Sequence, residues 1–221
     1  LNKKRTSSIT MDIAEAPQKT GKIRAQNRKN ILAAAEDSFV KNGFKGTSMQ
    51  SIADAAGLPK ANVLYYFKSK QALYLAVLDE IINRWDETIE DMSEGDDPAE
   101  VLRAYICAKV DLAIQYPSAS KIFALEIIQG APNLQEHLRT NLRTWVREKS
   151  KIIQSWIDQG KMKAIDPEHL IFMIWSTTQH YADFDAQILT VTNKLEYDDE
   201  DVQRIKELLC TVILGGCGLN V

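Results

Sequence analysis

Apolar residues return at helical spacing through most of this chain, and nowhere does alternation persist long enough to demand a sheet. Ile31, Leu32, Ala35, Phe39 and Val40 mark a first helix that begins near Asn27 and stops at Asn42-Gly43. Thr47 is expected to open a second helix, with Gln50 as its capping-box partner. Gly57 breaks the chain, Pro59 suits the first turn of a third helix, and Phe67 closes it. Ser69 then caps a long fourth helix with Ala72, Leu75, Ala76, Leu78, Ile82 and Trp85 on its inner side.

The run Glu94-Gly95-Asp96-Asp97-Pro98 is a clear break. Asp97, Pro98 and Glu100 supply the cap, the first-turn proline and the early carboxylate of the next helix. Tyr116-Pro117 and Ala131-Pro132 are further boundaries, because the residue before a proline avoids helical angles. Asp166-Pro167 repeats the cap-and-proline start, for a helix running to about Gln187. Asp198 to Asp201 place negative charge at the start of a last helix, where the helix dipole favours it, and that helix should end before Gly215-Gly216. The expected fold is all-α, with about nine helices and no internal repeat. It divides into a flexible basic tail (1–26), a small three-helix domain (27–72) and a larger helical domain (73–221).

Charge refines this picture more than composition does. With 45% hydrophobic and 26% charged residues the chain has an ordinary globular make-up, and its net charge of −3 suggests no polyanionic partner. The average conceals a split. Residues 1–70 hold 13 basic and 5 acidic residues, a charge of +8, whereas the remainder holds 14 and 25, a charge of −11. A basic head on an acidic body points to a head that meets nucleic acid, although a solvated basic tail would carry the same charge.

Cys107, Cys210 and Cys217 are odd in number and contain no C-x-x-C pair, which fits free thiols in a reducing cytoplasm. The basic N-terminal residues are not followed by the apolar run of a secretory leader, and Leu170 to Trp175 is too short to cross a bilayer. A cytoplasmic protein without membrane contact is therefore expected. H-E-x-x-H, G-x-S-x-G and a glycine-rich phosphate loop are all missing, so neither catalysis nor a cofactor is expected. His169 and His180 stand about three turns apart on one helix and cannot share a metal.

The segment Met49 to Lys68 carries the most specific chemistry. Ala53 is small where two helices must cross, Gly57 provides the turn, and Val63 packs the second helix back, with Ile52, Leu58 and Tyr66 completing the small core. This is the spacing a helix-turn-helix requires. Lys60, Ala61, Asn62 and Tyr65 would then be exposed on the second helix, polar or small enough to approach base edges. Thr47, Ser48, Lys68 and Lys70 would flank it as phosphate partners. Lys19, Lys22, Arg24, Arg28 and Lys29 of the tail could form an arm in the adjacent minor groove, or add only sequence-blind attraction.

From Gly46 to Leu73 the chain reads G-T-S-M-Q-S-I-A-D-A-A-G-L-P-K-A-N-V-L-Y-Y-F-K-S-K-Q-A-L, and over Ile31 to Leu78 it resembles the TetR family of regulators. The resemblance implies a homodimer whose two recognition helices enter successive major grooves of a near-palindromic operator in double-stranded DNA. It places Lys60, Ala61 and Asn62 near bases, and Thr47, Ser48, Tyr66 and Lys70 at phosphates. Family members commonly carry a tyrosine where this chain has Leu64. A leucine there can touch a thymine methyl or simply pack, which leaves the operator sequence open.

In the helix after Asp166, Trp175 and Gln179 are four residues apart and share a face, with Thr178 and Asp183 near them. An indole can stack on a planar ligand, and a glutamine amide matches an adjacent N–H and C=O on a ring edge, as in a nucleobase or an imide. The same pattern also fits a core tryptophan with a glutamine satisfied across a dimer. Ile165 to Phe184, together with the D-E-I-I-N-R-W run ending at Trp85, resembles the pyrimidine-utilisation regulators within that family. The resemblance implies a small-molecule effector such as uracil or thymine, lined by Trp85, Trp175, Gln179 and Asp183. It also implies that the helices at 167–187 and 200–214 form the dimer interface. On the last one, Val202, Ile205, Leu208, Leu209, Val212 and Ile213 form an apolar face. The alternative is a regulator whose C-terminal domain binds a protein partner or an unrelated apolar ligand.

Overall fold

A computed structural model describes residues 16–86 and 92–220, and every regular element among them is helical. In order these are α1 (Ala16–Gly46), α2 (Met49–Ala55), α3 (Lys60–Tyr66), α4 (Lys70–Asp86), α5 (Pro98–Gln115) and α6 (Pro117–Ile128). A short α7 (Gln135–His137) continues through a π-helical turn, Leu138–Leu142, into α8 (Arg143–Asp158). Then come α9 (Pro167–Asp183), α10 (Asp185–Thr192) and α11 (Asp199–Gly216). With α7 and α8 taken as one run, the described residues form ten helices, so the all-α expectation holds.

The caps explain most of the boundaries. Asp97 accepts from the Ala99 amide at 2.8 Å and Asp166 from the His169 amide at 2.9 Å, each just before its proline. Asp198 and Asp201 cap one another's backbone amides in a reciprocal box at the start of α11. At α2 the expectation needs correction. Ser48, not Thr47, is the cap, and its box partner is Ser51; Gln50 instead bonds Asp54 one turn on, at 2.8 Å. Helix α9 stops at Asp183, a few residues before Gln187, because Phe184 leaves helical angles at φ −119° and ψ 27°. Helix α11 runs through Gly215 and Gly216, and the chain turns only at Gly218, with φ +73°.

Two other expectations fail for physical reasons. The first helix starts at Ala16, not near Asn27. Residues 21–26 have no apolar face and are exposed, so periodicity was silent there, yet Lys, Arg, Gln and Ala extend a helix at low cost. The remainder of the expected tail, residues 1–15, lies outside the described residues. Gly43, at φ +67° and ψ 174°, interrupts α1 where Asn42-Gly43 was expected to stop it. In α4 the buried stripe is Leu73, Tyr74, Val77, Leu78, Ile81 and Ile82, whereas Ala72 and Leu75 are exposed.

One core joins Ile31, Ala35 and Phe39 of α1 to Ile52, Ala53, Val63 and Leu73, and takes in Ala119 and Ile122 of α6. A second core lies among α5, α8, α9 and α11, around Leu102, Ile106, Ile153, Trp156, Leu170 and Leu214. Each fully buried Ile or Leu contributes about 2 kcal/mol through lost apolar exposure. Helix α6 therefore belongs to the core of the N-terminal head while packing against α9 of the body.

Candidate DNA-facing surface and internal cavity

Helices α2 and α3 form the expected helix-turn-helix. Ile52, Ala53 and Val63 are completely buried, and Gly57 turns the chain at φ +66°, where a side chain would be strained. Helix α3 runs from a Pro59 cap to Phe67, which is buried. Its outward residues are Lys60, Ala61, Asn62, Leu64 and Tyr65, all exposed, whereas Tyr66 is half-buried against the core. Ser48 is exposed at the α2 cap.

Thr47 and Lys70 have different surroundings from those expected. Thr47 is 2% exposed, and its hydroxyl lies against the carbonyls of Ser38 at 3.0 Å and Gly43 at 2.8 Å, so it has no room for a phosphate. The Lys70 ammonium donates to the carbonyls of Phe44 at 2.7 Å and Thr47 at 2.8 Å, and sits 4.6 Å from the Phe44 ring centroid. Both residues hold the 43–47 loop that aims α2.

The body holds a partly open cavity of about 70 Å³, lined by Trp85, Tyr105, Lys109, Phe123, Leu142, Trp145, Trp175 and Gln179. Six elements supply its walls: Trp85 is near the end of α4, Tyr105 and Lys109 lie one turn apart on α5, Phe123 is on α6, Leu142 closes the π-helical turn, Trp145 is on α8, and Trp175 and Gln179 share a face of α9. The walls are largely aromatic. Trp85 meets Phe123 edge-on at 4.8 Å, and Trp145 lies 5.8 Å from Trp175 at 35°. The Trp175 indole N–H donates to the Tyr105 hydroxyl at 2.6 Å, which fixes the ring's orientation. The Lys109 ammonium, on a side chain only 5% exposed, sits 4.5 Å from the Trp85 ring centroid.

Trp85, Trp175 and Gln179, named from the sequence, thus line one cavity. Asp183 does not. It faces a larger open groove of about 750 Å³ between α6 and α9 that shares Phe123, Leu142, Trp175 and Gln179 with the cavity. There it accepts from Ser120 at 2.6 Å, and burial holds its pKa above the usual aspartate value against the pull of that hydrogen bond and of His180, Lys109 and Lys121. Thr178 is fully buried, with its hydroxyl bonded to Ile174 O at 2.7 Å.

Tyr105, Lys109, Phe123, Leu142 and Trp145 were missed. Lys109 did leave a signal: it falls in the stripe Leu102, Tyr105, Ile106, Lys109, Val110, Ala113, where every other member is apolar or aromatic. Leu142 left none, because it reaches the cavity as the last residue of the π-helical turn, outside α-helical register. No group of three or more metal-ligating side chains occurs among the described residues.

Residues 31–77 match the model of the bacterial regulatory proteins of the tetR family, and residues 78–220 match that of the YcdC-like protein C-terminal region. The chain is 41% identical over 204 residues to the transcriptional regulator RutR of Escherichia coli K12, covering 89% of this chain and 96% of RutR. It is 29% identical to the transcriptional repressor NicS of Pseudomonas putida, over 67% of this chain and 71% of NicS. Its fold matches that of AibR, solved with isovaleryl coenzyme A and operator DNA, with a TM-score of 0.64 at 18% identity over 84% of this chain and 97% of AibR. Together these matches show that the chain belongs to the TetR family of DNA-binding transcriptional regulators.

Proposed function

We propose that this regulator is a cytoplasmic homodimeric repressor whose hold on a near-palindromic operator is modulated by a pyrimidine base, uracil or thymine, bound in the aromatic cavity. The cavity carries the reading. At about 70 Å³ it is slightly smaller than one pyrimidine ring, which would fill it with a small outward movement of the walls, and it is far too small for a long acyl chain. Its indoles offer flat faces for stacking, and its polar groups are few: Lys109, the Tyr105 hydroxyl and the Gln179 amide. A pyrimidine dione presents alternating C=O and N–H groups along its edge. The glutamine amide complements one such pair, and a lysine ammonium complements a ring carbonyl. The 41% identity to RutR supports the same assignment.

On the DNA side, Lys60, Ala61, Asn62, Leu64 and Tyr65 face the major groove, while Ser48 and Tyr66 lie toward its phosphate edges. Dimerisation accounts for apolar side chains left in water. Leu208 and Val212 of α11 are 55% and 58% exposed, and Met173 of α9 is 40% exposed. Effector binding then acts by population shift, changing operator affinity by its differential affinity for the two arrangements of the heads and no more.

The test is isothermal titration of the full chain with uracil and thymine, with adenine as control. Saturable heat with the pyrimidines alone, lost in both Trp175→Ala and Gln179→Ala, is the expected result. A folded dimer that gives no heat with either pyrimidine rejects the effector and leaves the DNA-binding regulator standing.

A further inference from the structure

We propose that Arg24, on the N-terminal extension of α1, is a DNA contact outside the helix-turn-helix: its guanidinium, held over Tyr65, takes a backbone phosphate of the duplex facing α3. This rests on the DNA-binding reading of α3. Residues 16–35 contain five cations, Lys19, Lys22, Arg24, Arg28 and Lys29, and no carboxylate. Because the chain is helical from Ala16, the part around Arg24 does not have the extended backbone of an arm threaded along a minor groove. A helix instead fixes which cations face the recognition helix.

Arg24 and Arg28 are one turn apart and both turn toward α3, but their surroundings differ. Arg28 lies 5.8 Å from the ring of the buried Phe67 and 3.9 Å from Glu80, so its charge is already partly balanced. Arg24 lies 5.8 Å from the ring of Tyr65, which is 68% exposed and shares the outer face of α3 with Ala61 and Asn62. No carboxylate among the described residues pairs with Arg24.

A guanidinium beside an exposed tyrosine ring, with no carboxylate among the described residues to pair with, leaves its N–H groups available to a phosphate and has less rotational freedom to lose on binding. The occupant of this surface is duplex DNA, because the surface is cationic and continuous with the outer face of α3. The phosphate contact is sequence-blind. It extends the footprint beyond the groove that α3 reads and sets the orientation of the head.

The experiment measures binding to a labelled 30-base-pair duplex of arbitrary sequence, by fluorescence anisotropy over a range of KCl concentrations. Wild type is compared with Arg24→Ala, Arg24→Lys and Arg28→Ala, with thermal melts verifying that each is folded. Each phosphate contact contributes about 0.9 to the slope of log affinity against log salt, so losing one per protomer lowers a dimer's slope by about 1.8. Wild type should then lose about twelvefold more affinity than Arg24→Ala as salt rises fourfold. Arg24→Lys keeps most of the slope, and Arg28→Ala keeps it all. An unchanged slope in Arg24→Ala, or an equal loss in Arg28→Ala, overturns the assignment. Wild type that binds no duplex at all defeats the DNA-binding reading itself, a different and recognisable failure.

Discussion

Replacing Tyr74 by Phe removes a single hydrogen bond at the junction between head and body, and the structure allows its effect to be sized. The Tyr74 hydroxyl donates to Glu126 Oε2 at 3.0 Å, and the two residues are 5% and 2% exposed. The phenol ring packs edge-on against Phe39 at 4.9 Å and against Phe44 at 5.0 Å, contacts that phenylalanine retains. Glu126 keeps the Asn133 backbone amide at 2.6 Å and the Asn133 side-chain amide at 3.2 Å, but Oε2 loses its phenolic donor in a site with little access to water. A buried hydrogen bond to a carboxylate is worth about 1.5–3 kcal/mol, so for a chain of this size Tyr74→Phe should lower the melting temperature by about 3–12 °C. Glu126→Gln should cost at least as much, because one end of its amide becomes a donor facing donors. Burial, and then the hydrogen bond and charge of Glu126, hold the Tyr74 pKa above its ordinary value of 10.0. The folded state thus retains this proton longer than the unfolded chain does, and stability falls as pH rises past that value. The variant should lose less on the alkaline side. Scanning calorimetry at neutral and alkaline pH measures both effects. A Tyr74→Phe melt within about 1 °C of wild type would refute the reasoning, by showing that the buried pair adds no net stability.

Two further perturbations probe the cavity wall and a helix cap. Leu142 lines both the cavity and the outer groove, so Leu142→Ala should widen the passage between them and speed both association and dissociation of uracil several-fold with a smaller change in affinity, followed by stopped-flow tryptophan fluorescence. Unchanged rates would mean that the ligand passes elsewhere. Asp198 is held below the usual aspartate range, first by the Asp201 amide it accepts and then by Lys194. Its contribution is therefore complete above the ordinary aspartate pKa and fades as pH falls through the lowered one. Asp198→Asn keeps a capping oxygen without the charge, so the gap in melting temperature between wild type and variant should narrow toward about pH 3; a gap constant with pH would exclude the charge as its source.

Features set by short-range chemistry were the most legible in the sequence. Asp97-Pro98, Asp166-Pro167 and the Asp198–Asp201 box each combine a cap with a first turn, and each starts a helix as expected. The α2 cap moved by one residue because Thr47 and Ser48 are both competent caps. Tertiary packing, with Thr47 buried beneath Ser38, decides between them. The α4 face was misassigned for a similar reason: Tyr74 counts as half-polar in a periodicity, but here its ring fills the space between α1 and α6. For the cavity, spacing could put Trp175 and Gln179 on one face. Only the packing of α4, α5 and α6 around α9 brings Trp85, Tyr105, Lys109 and Phe123 to meet them. Leu142 illustrates the limit, since an α-helical period cannot anticipate a π-helical turn.

Helix α4 connects these regions at three points, and their spacing constrains how an effector can act. Trp85 lines the cavity near one end, Tyr74 is bonded to α6 through Glu126, and Lys70 at the other end holds the loop before the α2 cap. At 1.5 Å per residue, Trp85 is about 16 Å from the Tyr74 attachment and Lys70 about 6 Å beyond it. If Tyr74 is the pivot, displacing Trp85 by about 1 Å moves the Lys70 end by only about 0.4 Å, in the opposite sense. The lever therefore reduces translation at the loop, and sliding α4 against the head is a poor way to disturb DNA binding. Rotation is preserved. The same displacement turns α4 by about 4°, and Lys70 together with the shared core of α1, α2, α3 and α4 carries that angle into the three-helix head as a body. In a two-fold dimer the heads turn by equal amounts in symmetry-related directions, so their misfit on a rigid duplex accumulates across both half-sites. A modest angle at each head is then sufficient to separate two states that an effector can choose between.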